Sequence, residues 1–243
     1  MSPPRVLNPQ AVPVSGVDAH LPGIVGDALS PDGLRRRFAW QAERGLWTPE
    51  LAGDGGSAIA LPDMPPPMQA AVLVALVQRD GGMSVLLTRR ADHLRDHAGQ
   101  ISFPGGRCEQ GDAGATATAL REAHEEVGLA PERVQVLGQL PIYQTVTRFA
   151  VAPVVALVIS PLDLRLDLLL DRFEVAEVFE VPLSFLMNPA HHRRHRFVHE
   201  GVEGQFLSMP WRGPGADGIE RDYFIWGATA AMLRNLYRFL ATI

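Results

Sequence analysis

Three glutamates, at positions 122, 125 and 126, have a spacing that brings carboxylates together. Residues 121 to 129 read Arg-Glu-Ala-His-Glu-Glu-Val-Gly-Leu, and at 3.6 residues per turn the three glutamates fall on one face of a helix. Carboxylates four residues apart repel each other, and the last two precede Gly128, where the helix dipole is already negative. A solvated acidic surface would explain three glutamates alone. The pattern nevertheless predicts a cation beside this face.

The helix that holds these glutamates must also pack against the rest of the protein. Leu120, Ala123 and Val127 lie roughly opposite the carboxylates and form an apolar stripe that can face a core. Gly128 is expected to end the helix. The sequence therefore predicts an amphipathic helix whose apolar stripe can face a core.

Strand-like runs surround this helix. Residues 70–77 read as a buried strand, Asp80-Gly81-Gly82 as a turn, and residues 84–90 as the hairpin partner. Further strands are predicted at residues 100–103, 134–140, 151–159, 177–181, 197–211 and 222–226. A short helix over 182–186 and a closing amphipathic helix over 228–240 complete the pattern. Mixed strands with interspersed helices imply an α/β sandwich.

Size and composition narrow the class of protein. The chain has 243 residues, 47% of them hydrophobic, which fits one ordinary domain plus an extension. A formal net charge of −5 argues against nucleic acid as the principal partner. The single cysteine excludes an intramolecular disulfide framework and suits a reducing compartment. The apolar runs are too short to span a membrane, and we expect a soluble, cytoplasmic protein.

The N-terminal quarter differs from the rest. Residues 1 to about 29 are rich in Pro, Gly and small residues and predict an extended arm. Ser30-Pro31 is a good start for a short helix that Gly45 would end. Residues 53–67 resist both helix and strand, so the boundary is placed there: an N-terminal arm over 1–65 and the main domain over 66–243.

Several motifs together point to one family. Gly105-Gly106, Asp112 and residues 121–129 closely resemble the Nudix box of the Nudix hydrolases. The generic box has a glutamate six positions after the glycine and an arginine eight positions later, whereas here Arg121 follows Asp112 by nine. This longer loop resembles the coenzyme A pyrophosphatase branch. The resemblance to that branch extends over residues 86–90, 94–106, 118–122, 174–183 and 225–230.

The resemblance implies a fold, a cofactor and a set of site residues. The fold would be a Nudix-type α/β/α sandwich with a mixed sheet, and the cofactor Mg²⁺ or Mn²⁺, which prefer oxygen ligands. The implied metal ligands are Glu122, Glu125, Glu126 and Gly106. Glu125 is our first candidate for the general base and Glu122 the second, while Arg121 would reach Asp112 or Glu109 and hold the box in shape. The implied substrate-binding residues are Arg90, Arg95, His97 and Gly105.

Glu174 is a further candidate. It could contribute a carboxylate from a loop over the site, or it could anchor that loop without touching the substrate. The resemblance alone also implies a homodimer.

The implied activity is metal-dependent hydrolysis of the diphosphate bond of coenzyme A or an acyl derivative, giving 3′,5′-ADP and 4′-phosphopantetheine or its acyl form. Two alternatives remain open. The first is another nucleoside diphosphate derivative, such as ADP-ribose or a dinucleotide. The second is a Nudix-like ligand sensor without activity, against which the three repelling glutamates argue.

Two other groups of reactive side chains are interpreted as structural. The run His191-His192-Arg193-Arg194-His195 lacks an acidic partner at a convincing spacing, so we expect a solvated loop and not a metal site. Cys108 lies in the glycine loop, but no Cys-His-Asn or Cys-x-x-Cys arrangement supports nucleophilic or redox chemistry.

Overall fold

A mixed sheet of eight strands forms the centre of the protein. The computed structural model describes residues 8–45, 47–53, 66–159, 161–199 and 201–242. The strands of the large sheet are β2 (Met68–Arg79), β3 (Gly82–Arg90), β4 (Ile101–Ser102), β5 (Gly105–Arg107), β6 (Val134–Gln139), β7 (Tyr143–Gln144), β8 (Phe149–Val158) and β9 (Val175–Pro182). β2 pairs in parallel with β8 and antiparallel with β3. Both faces of β2 are covered, which explains its continuous apolar run.

The second sheet is smaller and entirely antiparallel. It contains β1 (Val14–Val17), β10 (Arg193–His199), β11 (Val202–Pro214) and β12 (Glu220–Trp226), with strand order β1-β10-β11-β12. The prediction of one strand over 197–211 is wrong, because φ at Gly201 is +78° and β10 pairs antiparallel with β11 as a hairpin. Glycine tolerates this left-handed conformation at no steric cost.

Helices cover both faces of the large sheet. Their bounds are α1 (Pro31–Ala42), α2 (Ala115–Val127), α3 (Leu183–Leu186) and α4 (Gly227–Ala241). Ala119, Ala123 and Val127 of α2 are fully buried against one face. The other three helices and part of the small sheet pack on the opposite face. The predicted α/β sandwich with a mixed sheet is confirmed.

The N-terminal segment contributes the strand β1 of the small sheet and the helix α1. The predicted helix near residue 31 is confirmed as α1, with the Ser30 hydroxyl accepting a hydrogen bond from the Gly33 N–H at 3.0 Å. β1 pairs with β10, which is more than 170 residues away in the chain. The boundary predicted at residue 65 or 66 falls beside residues outside the described ranges and stays a prediction. Among the described helices, none combines the length and apolar composition needed to span a membrane.

The solvated histidine loop predicted at residues 191–195 is also wrong. His192, just before β10, is fully buried, and His195 is 3% exposed in β10, which lies between β1 and β11. The Nε2 atom of His192 lies 2.7 Å from the Leu186 carbonyl oxygen, and its Nδ1 atom lies 3.0 Å from a guanidinium nitrogen of Arg234. A carbonyl only accepts and a guanidinium only donates, so this histidine is neutral with its proton on Nε2.

Burial of His192 predicts an acid-sensitive fold. Burial lowers the pKa of His192 to about 4, and the positive charge of Arg234 acts in the same direction. Between pH 6.5 and 4 the imidazole of His192 binds a proton in the unfolded chain but not in the folded chain, so the contribution of His192 to the free energy of unfolding should fall as the pH falls. The expected loss is about 3 kcal/mol across this interval. Urea denaturation at several pH values measures it.

The variant His192→Gln should lack this contribution, so the difference in free energy of unfolding between the variant and the wild type should change by about 3 kcal/mol between pH 6.5 and 4. His20→Gln, at an exposed histidine, is the matched control and should keep the wild-type slope. Equal slopes for His192→Gln and the wild type would contradict the assignment.

Candidate active site

The glycine pair and the glutamate helix meet where β5 joins the large sheet. β5 pairs with β2, with Gly105 opposite Val72 and Gly106 opposite Ala71. Helix α2 packs across both strands. It ends at Gly128, which adopts the left-handed conformation with φ of 73°, as predicted for the helix stop. The sheet therefore holds the glycines directly beneath the acidic face of α2.

At both glycines a neighbouring group lies so close that a Cβ atom would collide with it. A Cβ atom at Gly105 would lie 2.4 Å from the Ala71 carbonyl oxygen, in the backbone of β2. A Cβ atom at Gly106 would instead lie 2.5 Å from the Glu122 carboxylate. Gly105 thus permits strand packing, whereas Gly106 makes room for a candidate metal ligand.

Glu126 is the most enclosed of the three glutamates. It is 5% exposed, and its Oε2 atom accepts a hydrogen bond from the Gly105 N–H at 3.1 Å. Arg90 at the end of β3 brings a guanidinium nitrogen 3.9 Å from Oε1. Burial raises the pKa of Glu126 to about 8, with the charge of Glu174 adding to the effect, while Gly105 and Arg90 oppose it.

Glu122 and Glu125 both meet Arg121. Its guanidinium lies 3.0 Å from a Glu122 oxygen and 2.8 Å from a Glu125 oxygen. Arg121 is therefore a cationic side chain beside the acidic face and belongs to the same helix. Glu122 is half-buried and Glu125 is exposed. Burial raises the pKa of Glu122, the negative charges of Glu125 and Glu174 add to the rise, and Arg121 opposes it.

The predicted contact between Arg121 and Asp112 is present. It is a two-point ion pair, with nitrogen–oxygen distances of 3.1 and 3.0 Å, and Arg121 also donates to the Arg107 carbonyl at 3.0 Å. The Thr118 hydroxyl donates to the same Asp112 carboxylate at 2.8 Å. These bonds hold the pKa of Asp112 well below its usual range, with Arg121 as the main cause. The longer loop thus still allows the shorter aspartate to reach the arginine.

Thr118 was not singled out from the sequence for any role. Its position three residues before Arg121 puts both side chains on the same side of α2, and this spacing was the available signal. The hydroxyl fixes the aspartate that in turn fixes the arginine.

Glu174 lies close to the two inner glutamates. Its negative charge raises the pKa of both Glu122 and Glu126. Its carbonyl accepts a hydrogen bond from the Ala91 N–H at 2.8 Å, which ties the segment before β9 to the end of β3. Its side chain is exposed. The predicted loop carboxylate is therefore beside the acidic cluster, and its role stays a prediction.

The predicted substrate-binding residues separate into two groups. Arg90 faces Glu126, whereas Arg95 and His97 are exposed on the loop that follows β3. Arg90 exchanges main-chain hydrogen bonds with Gly99 and Gln100, so the loop folds back on the strand end. His97 has a φ of +60°, unusual for a residue other than glycine, and its ring bonds the Gln100 side chain at 2.8 Å. Within the described ranges, Arg95 forms no ion pair.

The site fits a hard divalent cation by its donor chemistry. Four carboxylates gather here, from Glu122, Glu125, Glu126 and Glu174, and Mg²⁺ and Mn²⁺ prefer such oxygen ligands. As arranged, no three Asp, Glu, His or Cys side chains of the described residues form a ready metal cluster. Arg121 and the Gly105 N–H hold carboxylate oxygens instead. Burial is the main cause of the raised pKa values of Glu122 and Glu126, and neighbouring carboxylates add to it; a bound divalent cation would favour the charged form of both side chains.

Comparison of the sequence with known proteins identifies the family of the chain. The sequence pattern of the NUDIX domain matches residues 67–200, more than half of the chain. An uncharacterized Nudix hydrolase NudL from Enterobacter sp. (strain 638) is 41% identical over 168 residues, which are 69% of this chain and 80% of that protein. The protein of the same description from Cronobacter sakazakii (strain ATCC BAA-894) is 43% identical over 169 residues, with the same coverage.

Solved structures with similarity to this chain include two Nudix proteins. A Nudix hydrolase from M. smegmatis, RenU, has 22% identity and a TM-score of 0.48, with 74% of this chain and 89% of that chain covered. A binary complex of a C. elegans Ap4A hydrolase has 21% identity and a TM-score of 0.40, with coverage of 51% and 85%.

Proposed function

The chain belongs to the Nudix hydrolases, enzymes that hydrolyse phosphorus-containing anhydrides, and we propose that its substrate is coenzyme A or an acyl derivative of it. Water would add to one phosphorus of the diphosphate as the bond from that phosphorus to the bridging oxygen breaks. The products would be 3′,5′-ADP and 4′-phosphopantetheine, or its acyl form. This proposal goes further than membership of the family, which does not identify the substrate.

The observation that carries the proposal is the grouping of cationic side chains along one loop beside the carboxylates. Arg90 lies against Glu126, and Arg95 and His97 lie on the adjoining exposed loop. A diphosphate with an additional 3′-phosphate carries more negative charge than ADP-ribose, so it benefits more from separate cationic contacts. Arginine binds phosphate oxygens in a bidentate manner, and Arg95 has its guanidinium available among the described residues.

The proposed roles follow from position. Glu122, Glu125, Glu126 and the Gly106 carbonyl would hold Mg²⁺ or Mn²⁺, which when bound neutralises phosphoryl oxygens and lowers the pKa of the attacking water. Glu125 is the exposed carboxylate and would accept the proton from that water, with Glu122 as the second candidate. Arg90 would orient the diphosphate, and Arg121 acts as a positioning residue through Asp112.

Other aspects of the protein stay at the level of sequence predictions. These are the cytoplasmic location, the homodimer, the choice between magnesium and manganese, and the contribution of Glu174.

Product analysis by mass spectrometry tests the proposed substrate. The full chain is incubated with coenzyme A and Mg²⁺ or Mn²⁺, and in parallel with ADP-ribose and a dinucleoside polyphosphate. We expect 3′,5′-ADP and 4′-phosphopantetheine, with a higher kcat/KM for coenzyme A than for the other two. When the reaction is run in oxygen-18 water, the labelled oxygen stays on the phosphorus that water attacks, so the labelled product identifies that phosphorus. Cleavage of ADP-ribose at least as fast as coenzyme A would overturn the assignment, and hydrolysis of none would favour the sensor.

A further inference from the structure

A cavity of about 580 Å³ lies at the seam between the two sheets. This volume is within the range of small-molecule binding sites. Its walls come from the first described residues of the chain, from the ends of β3, β4 and β9, and from β12. The residues used below are Gln10, Arg89, Glu177, Arg221, Phe224 and Trp226.

The cavity adjoins the candidate active site without being part of it. Arg89 and Arg90 are consecutive residues of β3, so their side chains point to opposite faces of the sheet. Arg90 faces Glu126, whereas Arg89 lines the cavity. The loop segment 98–101 forms another part of the cavity wall, and the main chain of Gly99 and Gln100 bonds to Arg90. Residues 98–101 therefore contact both the cavity and the end of β3 that carries Arg90.

The charges on the cavity wall are already paired. Glu177 lies 3.6 Å from the Arg89 guanidinium and 3.1 Å from the Arg221 guanidinium, and it accepts a hydrogen bond from the Tyr223 hydroxyl at 2.9 Å. Arg221 also pairs with Asp217 at 2.6 Å. Because each arginine has a carboxylate partner, the wall offers no excess positive charge for a phosphate. A neutral ligand segment suits it better.

The remaining wall combines aromatic surface with other residues of β12. Phe224 and Trp226 are half-buried and line the cavity. β12 is the last strand of the small sheet, so among the described strands one of its edges has no strand partner. Extended chains with amide groups bind such edges through main-chain hydrogen bonds, while their side groups contact neighbouring side chains.

We propose that this cavity binds the pantetheine arm of the substrate while the diphosphate lies at the glutamate cluster across the 98–101 loop. The arm is neutral, extended and contains two amide groups, and its branched methyl groups would contact the aromatic side chains. This inference rests on the proposed function. It assigns the N-terminal segment a role in specificity, because Gln10 is part of the wall.

Filling the cavity tests the inference. Gln10→Trp introduces a large ring from an exposed position of the N-terminal turn, and Phe224→Ala removes aromatic surface from the opposite wall. Each variant is assayed with coenzyme A and with the methyl ester of adenosine 3′-phosphate 5′-diphosphate, which keeps the diphosphate but lacks the arm. We expect kcat/KM for coenzyme A to fall about tenfold or more, as lost side-chain-sized contacts would cause. For the truncated substrate we expect less than about a twofold change.

The control is Ala190→Trp, which adds the same ring at an exposed position outside the cavity wall and should change neither value. Equal losses for both substrates, or no loss for either, would overturn the inference.

A binding experiment separates failure of the inference from failure of the proposed function. Free pantetheine is titrated into the full chain and tryptophan fluorescence is followed, with Trp226→Phe to identify the signal. A saturable change that Gln10→Trp abolishes and Ala190→Trp keeps supports the cavity assignment even if coenzyme A is not hydrolysed. Absence of saturable binding overturns it even if coenzyme A is cleaved.

Discussion

Glu126→Gln is expected to lower kcat/KM about 100- to 1,000-fold while the fold is retained. Glu126 is 5% exposed at the centre of the acidic cluster, and as a metal ligand it would support several kcal/mol of transition-state charge stabilisation. Glutamine has the same shape and can still accept the Gly105 hydrogen bond. Since burial raises the pKa of Glu126 to about 8, a neutral side chain should be tolerated there. Steady-state kinetics measures the loss of kcat/KM. Thermal melting in EDTA, without divalent metal, measures whether the fold is retained.

Glu132→Gln provides a control with the same change of charge. Glu132 is exposed in the turn Pro131–Arg133 that follows α2 and has no role in the site. We expect wild-type kinetics for this variant. Wild-type turnover by folded Glu126→Gln would remove Glu126 from the site.

Gly106→Ala is expected to lower kcat/KM about 100-fold with little effect on the melting temperature. The new Cβ atom would lie 2.5 Å from the Glu122 carboxylate, which must move away. A carboxylate at the end of a flexible side chain can rotate, so the fold should accommodate the methyl group. A displacement of about 1 Å at a catalytic group is enough to cost about 100-fold in rate. The variant therefore tests the position of Glu122 without removing its charge.

Gly111→Ala is the matched control for Gly106→Ala. It lies in the same loop, and a Cβ atom there meets nothing within 4 Å. We expect unchanged kinetics and melting for Gly111→Ala. If Gly106→Ala also kept wild-type kcat/KM, the exact position of the Glu122 carboxylate would not matter for turnover, and its assignment as a ligand would fail.

The local elements could be predicted because their signals lie in neighbouring residues. Ser30-Pro31 predicted the start of α1, the apolar run from Ala70 predicted β2, and Gly128 predicted the end of α2. Helix periodicity also placed Glu122, Glu125 and Glu126 correctly on one side of α2. These features follow from backbone geometry and side-chain spacing within a few turns.

The histidine run shows where local signals fail. Residues 191–195 are polar and basic, and this composition is typical of a solvated loop. The run instead leads into β10, where pairing with β1 and β11 buries His195, while Arg234 of α4 satisfies His192. Burial of a polar side chain depends on a partner from elsewhere in the chain, and sequence spacing does not reveal that partner.

The acidic helix combines both situations. The sequence by itself determined that three carboxylates share a face of α2, that a cation must accompany them, and that the surrounding motifs are those of a Nudix hydrolase. Only the tertiary structure decided that Arg121 pairs with Glu122 and Glu125 and that Glu126 is buried against Gly105. It also decided that Gln10, Arg89 and β12 line a common cavity. The physical reason is the separation of the interacting residues in the sequence. Helix spacing and turn conformation arise from neighbouring residues. Burial, the partners of an ion pair and the walls of a cavity also depend on contacts between segments that are distant in the sequence.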